Sequence, residues 1–266
     1  MSTATRSARG SAWRIVAAQE LRDLWVGGRG LLLSLAFSLL LSVLAYLVAT
    51  NHALNFLEQR ESVNLTLQVA IAVGALIALL GAADAISGER ERGSLESLLL
   101  APVSRLELTL GKLLAAASLW LAAFVLTVPY IWFLGRGVGI VGVALGAGVV
   151  VGTLLALFLV SLGMLISIFA RSNRISLSLS LFLLIALFAP TQFPTSAQQG
   201  WLGDFLLRAN PLTAGEHYVG KIVVDAHPWR EDVSWLLSPA IAAAAFAGLA
   251  AIAGARFVRL GGGAST

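Results

Sequence analysis

Cysteine is absent from all 266 residues, which excludes disulfides, thiol catalysis and thiolate metal sites. Charge is scarce as well. Only 12 % of residues are Asp, Glu, Lys or Arg, about half the share of an ordinary soluble domain, while 58 % are hydrophobic and the mean hydropathy is +0.86. Such a chain is solvated largely by lipid. There are three histidines, His52, His217 and His227, scattered through separate segments with no paired spacing, so the sequence predicts no metal site. No serine–histidine or paired-aspartate arrangement falls inside an apolar run, which argues against intramembrane proteolysis. The string Gly215–Lys221 starts like a phosphate loop, but Ile222 stands where the magnesium-binding hydroxyl belongs. No nucleotide site and no catalytic residue is expected, and the chain reads as a non-enzyme. The pI near 10.1 comes without a basic stripe interleaved with stacking aromatics, so nucleic acid is not expected as a partner.

What the chain has instead is long apolar runs. Six lie near 31–49, 65–86, 113–134, 141–170, 175–189 and 235–255. About 20 apolar residues make a helix long enough for the hydrocarbon layer. The fifth run is short and closes at Pro190 and Pro194, and the fourth is long enough to tilt. The expected fold is all-α and polytopic. Residues 1–30 form a tail and an interfacial helix, 31–260 a six-span domain, and 261–266 a terminal tail. With the N-terminus inside, 13 of the 18 basic residues fall on the cytoplasmic side, as the positive-inside rule requires. Both ends are then cytoplasmic, in a plasma membrane, with the first run retained as an anchor.

Trp13, Val16, Ala17, Leu21, Leu24 and Trp25 follow helical spacing, which predicts an interfacial helix over 11–29; a plain basic flank that only sets topology is the alternative. Gly142-x-x-x-Gly146 and Gly148-x-x-x-Gly152 predict close helix packing in the fourth run. Residues 190–234 form the one large external segment, with apolar positions suited to short helices at the outer leaflet.

The densest charge lies at 89–112, ERERGSLESLLLAPVSRLELTLGK, within a loop spanning 87–112. Gly93 permits a sharp turn, Ser94 is placed to cap a short helix bearing Leu95, Glu96, Leu98 and Leu99, and Pro102 stops it. Ser104 and Glu107 make a capping box that restarts the chain. Two helical turns are unstable alone in water, so this peg needs a surface to pack on. Asp84, at the inner end of the second run, is either a hinge or charge partner for Arg90 or Arg92, or a residue just reaching the headgroups.

These residues carry a resemblance. Asp84–Glu89, Gly93–Glu96, the leucines 98–100, Pro102–Arg105 and Gly111-Lys112 resemble the central motif of ABC transporter permeases of the type-2, exporter-like class, and within it the NosY-like family. Glu20-Leu21-Arg22 and Asn210-Pro211 are similar to further family segments. The resemblance implies a coupling helix over 89–101 seated in a separate cytosolic ABC ATPase, which carries the ATP and magnesium. It also implies external re-entrant helices between spans five and six, and a second permease copy or a related permease. Glu89, Arg92, Gly93, Ser94, Leu95, Glu96, Leu98 and Leu99 are then the expected contacts to the ATPase, with no cofactor on this chain. Export is the implied direction; substrates from metal-cofactor maturation to drug efflux stay open. So do two other classes, a non-transporting membrane scaffold and an ion-coupled carrier.

Overall fold

The computed structural model describes residues 12–50, 56–94, 104–192 and 201–257. Everything regular among them is helical. Ala12–Val26 (α1) leads into Arg29–Ala49 (α2), followed by Phe56–Asp84 (α3), the six-residue Ser87–Arg92 (α4), Arg105–Gly135 (α5) and Val141–Phe169 (α6). Asn173–Phe188 (α7) runs into a 3₁₀ turn, Ala189–Gln192. Trp201–Ala209 (α8), Pro211–Val223 (α9), a second 3₁₀ turn at Val233–Leu236 and Leu237–Phe257 (α10) complete the chain.

Five of these helices are long and apolar enough to cross a membrane: α2, α3, α5, α6 and α10 with its preceding turn. The fifth apolar run becomes α7, whose 16 residues are too few for that length. The chain is a multi-pass helical membrane protein by these helices; the sixth span has only this shorter apolar helix to stand on.

Local chemistry fixes the boundaries. Ser104 Oγ accepts the Glu107 amide at 3.2 Å while Glu107 Oε2 accepts the Ser104 amide at 2.9 Å, so the reciprocal cap starts α5 where the sequence places it. Ser172 caps α7 through the Ile175 amide, and Asn210 caps α9 through the Leu212 amide at 3.0 Å with Pro211 in the first helical turn. Pro129 sits inside α5, where its missing N–H is tolerated in a long packed helix.

α6 is the hub, packed against α3, α5, α7, α9 and α10. Small residues allow this. A Cβ on Gly152 would lie 2.2 Å from the Trp120 ring, and one on Gly163 would lie 2.5 Å from the Leu79 carbonyl oxygen. Of the four glycines in the two small-residue repeats, Gly146, Gly148 and Gly152 are packed against side chains, whereas Gly142 faces open space. α2 is attached more lightly, by Phe37, Leu41 and Ala45 and by the Tyr130 hydroxyl, which lies 2.9 Å from Ser38 Oγ and 2.8 Å from Ser42 Oγ. Leu44 packs beside them, and the remaining leucines of α2 face outward, as expected of a lipid-exposed helix.

α1 lies along the first turns of α5. Val16 and Ala17 cover Gly111, and Trp25 Nε1 donates to Ser118 Oγ at 3.1 Å. The helix ends at Val26 rather than at residue 29, because Gly28 takes a left-handed conformation (φ 84°) that turns the chain into α2.

Candidate functional site

Charged and polar side chains gather at the end of the bundle that carries α1, hereafter the near end. They do so around α4, the segment Ser87–Arg92. This helix has no side-chain cap of its own at Ile86. Instead Ser167 Oγ, from the last turn of α6, accepts both the Ile86 amide at 3.0 Å and the Ser87 amide at 2.9 Å. Two orphan donors of a helix start are satisfied by a single hydroxyl from a neighbouring helix. Gly93, left-handed at φ 72°, closes α4 after Arg92.

The four charges of α4 go to four different helices. Glu89 Oε1 accepts from Lys112 Nζ of α5 at 2.5 Å. Arg90 donates to the carbonyls of Ala170 (2.5 Å) and Ile168 (3.2 Å), the open C-terminal carbonyls of α6. Glu91 accepts the Asn173 amide, the first N–H of α7, at 3.0 Å. Arg92 pairs with Asp84 in the last turn of α3, Nη2 to Oδ2 3.6 Å.

Two of these partners reach further. Lys112 is 1 % exposed and also donates to Glu20 of α1 at 2.7 Å. Asp84 accepts from Arg29, the first residue of α2, at 3.1 Å and from Asn173 Nδ2 at 2.7 Å. One six-residue helix is thereby joined, directly or through one partner, to α1, α2, α3, α5, α6 and α7. Removing one member of the buried Lys112–Glu89 pair costs about 3–5 kcal/mol, because the other charge is left uncompensated.

The balance of the node is acidic. Glu89 Oε2 is buried and has no hydrogen-bond partner among the described residues, and burial pushes the Glu89 carboxyl above its ordinary value of 4.5 although Lys112 pulls the other way. Glu20, Asp23, Asp84 and Glu89 face Arg29, Arg92 and Lys112 around a cleft of about 290 Å³ at the near end.

The expected partner contacts divide on this geometry. Glu89 is turned inward onto Lys112, Arg92 is half exposed beside Asp84, Gly93 makes the turn, and the Ser94 amide donates to the Glu89 carbonyl at 3.1 Å. Leu95, Glu96, Leu98 and Leu99 lie outside the described residues. The Asp84 carboxylate has two arginine neighbours, Arg29 and Arg92, while Arg90 is engaged by the end of α6. Sequence reasoning did not single out Arg29, Ser167 or Asn173, and met Glu20 and Lys112 only within the Glu20-Leu21-Arg22 and Gly111-Lys112 segments. Lys112 carries a signal of its own. It shares a helical face with Leu108, Ala115 and Leu119, all buried, and a lysine on such a face demands an acid from another element.

The other candidates come apart. Among the described residues no three metal-ligating side chains gather; His217 stacks on Trp235 at 4.0 Å and His227 Nδ1 lies 2.9 Å from Asp232 Oδ2, while His52 lies outside the described residues. Gly215–Lys221 is a stretch of α9, so its backbone amides are spent on the helix and cradle no phosphate.

No curated protein matches this chain. A family model described as ABC-2 family transporter protein matches residues 14–257, from the first turn of α1 to the end of α10. With nine-tenths of its length covered, the chain belongs to the ABC-2 transporter family.

Proposed function

We propose that this chain is the membrane-spanning permease subunit of an ATP-driven transporter, moving substrate by alternating access. The energy comes from ATP and magnesium on a separate cytosolic ABC ATPase. ABC-2 permeases generally work with such a partner, and hydrolysis is assigned to that partner rather than to this chain. The near end faces the cytoplasm, following the 13 basic residues assigned to that side. α7 serves as a short sixth crossing, and α8 and α9 fold back at the outer leaflet as re-entrant helices. The functional unit pairs two permeases with two ATPases in the lipid bilayer, and the direction is export, as in the NosY-like group.

The observation that supports this reading most is the wiring of α4. A helix that only reversed the chain would not need each of its four charges held by a different neighbour. One that receives a push at 95–101, immediately beyond Gly93, and distributes it to the spans would. Glu89 and Arg92 then act as positioning residues behind the docking surface, and Leu95, Glu96, Leu98 and Leu99 provide that surface.

Co-expression with the ABC ATPase encoded nearest to it tests this directly. Leu95→Asp with Leu98→Asp abolishes co-purification of the ATPase while the permease still accumulates in the membrane. Undiminished co-purification and ATP hydrolysis in the complex contradict the assignment.

A further inference from the structure

At the opposite, far end of the bundle, a half-buried acid stands in largely apolar surroundings. Leu212, Val219, Ile222 and Val223 of α9 are buried against the spans. Glu216, four residues after Leu212 and three before Val219, shares their face. It lines a crevice formed with α3, α6 and α7, where Gln68 is the one other polar residue among the described walls, which include Ala72, Leu155 and Phe188. The crevice has room for about 10 Å³, enough for a single water-sized group. Gln68 Nε2 donates to the Glu216 backbone carbonyl (3.3 Å), not to its carboxylate.

No fixed cation neutralises this carboxylate among the described side chains. Arg60 of α3 donates to the Val223 carbonyl at 3.3 Å, Lys221 is paired with Asp225 at 2.9 Å, and Arg208 lies over the Trp235 ring at 4.5 Å. His217 stacks on that same ring and His227 is held by Asp232. Glu61 of α3 is exposed and adds only negative charge. α6 carries no charged residue, and those of α7 and α10, Arg174 and Arg256, lie at the near end. Burial alone, with no charged neighbour contributing, pushes the Glu216 carboxyl up to about 7. A carboxylate in such surroundings is costly unless a cation reaches it.

We propose that Glu216 is a binding point for the ammonium group of a primary-amine amphiphile, with its hydrocarbon body against the apolar walls of α3 and α7. An –NH₃⁺ head is about the size of a water molecule and fits the crevice, whereas a trimethylammonium head is too large for it. Binding at Glu216 requires no ATPase; only its being cargo, which would make amphiphilic amines the substrate class, rests on the permease reading.

The test uses the full chain in detergent with hexylamine and hexyltrimethylammonium as probes, read by calorimetry. Hexylamine binds, and Glu216→Gln weakens it about tenfold or more, the loss of one charge-assisted hydrogen bond. The ligand stays protonated throughout, as lysine does below about 10.4, so binding to the unaltered chain rises with pH through about 7 as the carboxyl ionises. That profile stands even if the variant folds poorly. Equal affinity in Glu216→Gln, a flat pH profile, or equal binding of hexyltrimethylammonium overturns the site. In the complex with the ATPase, hexylamine stimulates ATP hydrolysis; binding without stimulation keeps the site and overturns its assignment to cargo.

Discussion

Lys112 Nζ and Glu89 Oε1 are 2.5 Å apart, and the lysine side chain is almost wholly removed from solvent although it lies in the second turn of a membrane-length helix. The same ammonium holds Glu20 of α1. One buried cation thus joins the interfacial helix, the short helix α4 and the start of α5, and it governs the behaviour of the near end.

Replacing it exposes the imbalance. Lys112→Met leaves two acids facing each other in a partly buried cleft, and the expected loss is about 3–5 kcal/mol. Glu20→Gln and Glu89→Gln added to Lys112→Met remove the uncompensated charges and recover most of that loss. Apparent thermal midpoints of the three proteins in detergent check the order: unaltered, then triple variant, then Lys112→Met.

Stability at the near end falls with rising pH. Glu89 binds its proton more tightly in the folded chain than at its ordinary 4.5. Its contribution is therefore present in full below 4.5 and is lost as pH rises through the raised native value. Glu89→Gln removes this slope. Thermal midpoints measured across the acid range show a flatter profile for Glu89→Gln than for the unaltered chain.

Asp84 and Arg29 contribute unequally to their ion pair. The Asp84 side chain is 13 % exposed and also holds Asn173, whereas Arg29 is 65 % exposed and screened by solvent. Asp84→Ala costs about 1–3 kcal/mol, from unpaired donors, and Arg29→Ala less than about 1 kcal/mol. The same melting experiment separates them.

Two glycines of α6 respond in opposite ways. Gly152→Ala places a methyl group against the Trp120 ring and costs about 1–3 kcal/mol. Gly142→Ala meets nothing within 4 Å and is neutral, or stabilising by up to about 1 kcal/mol from helix propensity.

Much of this was legible in the chain, and the rest was illegible for a physical reason. Apolar runs locate the spans, because lipid leaves a helix no alternative. The Ser104–Glu107 cap and the Gly93 turn are local features, visible within a few residues. The ion node is different. Glu20, Glu89 and Lys112 lie 23 to 92 positions apart, and no periodicity in one helix announces its partner in another. Glu89 and Arg92, expected at the ATPase contact, are also tied within the bundle, to Lys112 and to Asp84. The Ser167 hydroxyl that caps α4 was equally hidden, one serine among several in apolar helices.

The absence of cysteine from the whole sequence makes one measurement direct. In the permease–ATPase complex, a single cysteine replacing Ala72, at the far-end crevice, reports on that end through its rate of modification by a membrane-impermeant maleimide. The rate changes when ATP binds to the partner. Glu20→Gln, Glu89→Gln and Lys112→Met together, a neutral set expected to fold and assemble, abolish that change because α4 no longer pulls on α5. The same ATP-dependent change in the triple variant as in the unaltered complex would contradict transmission through this ion pair.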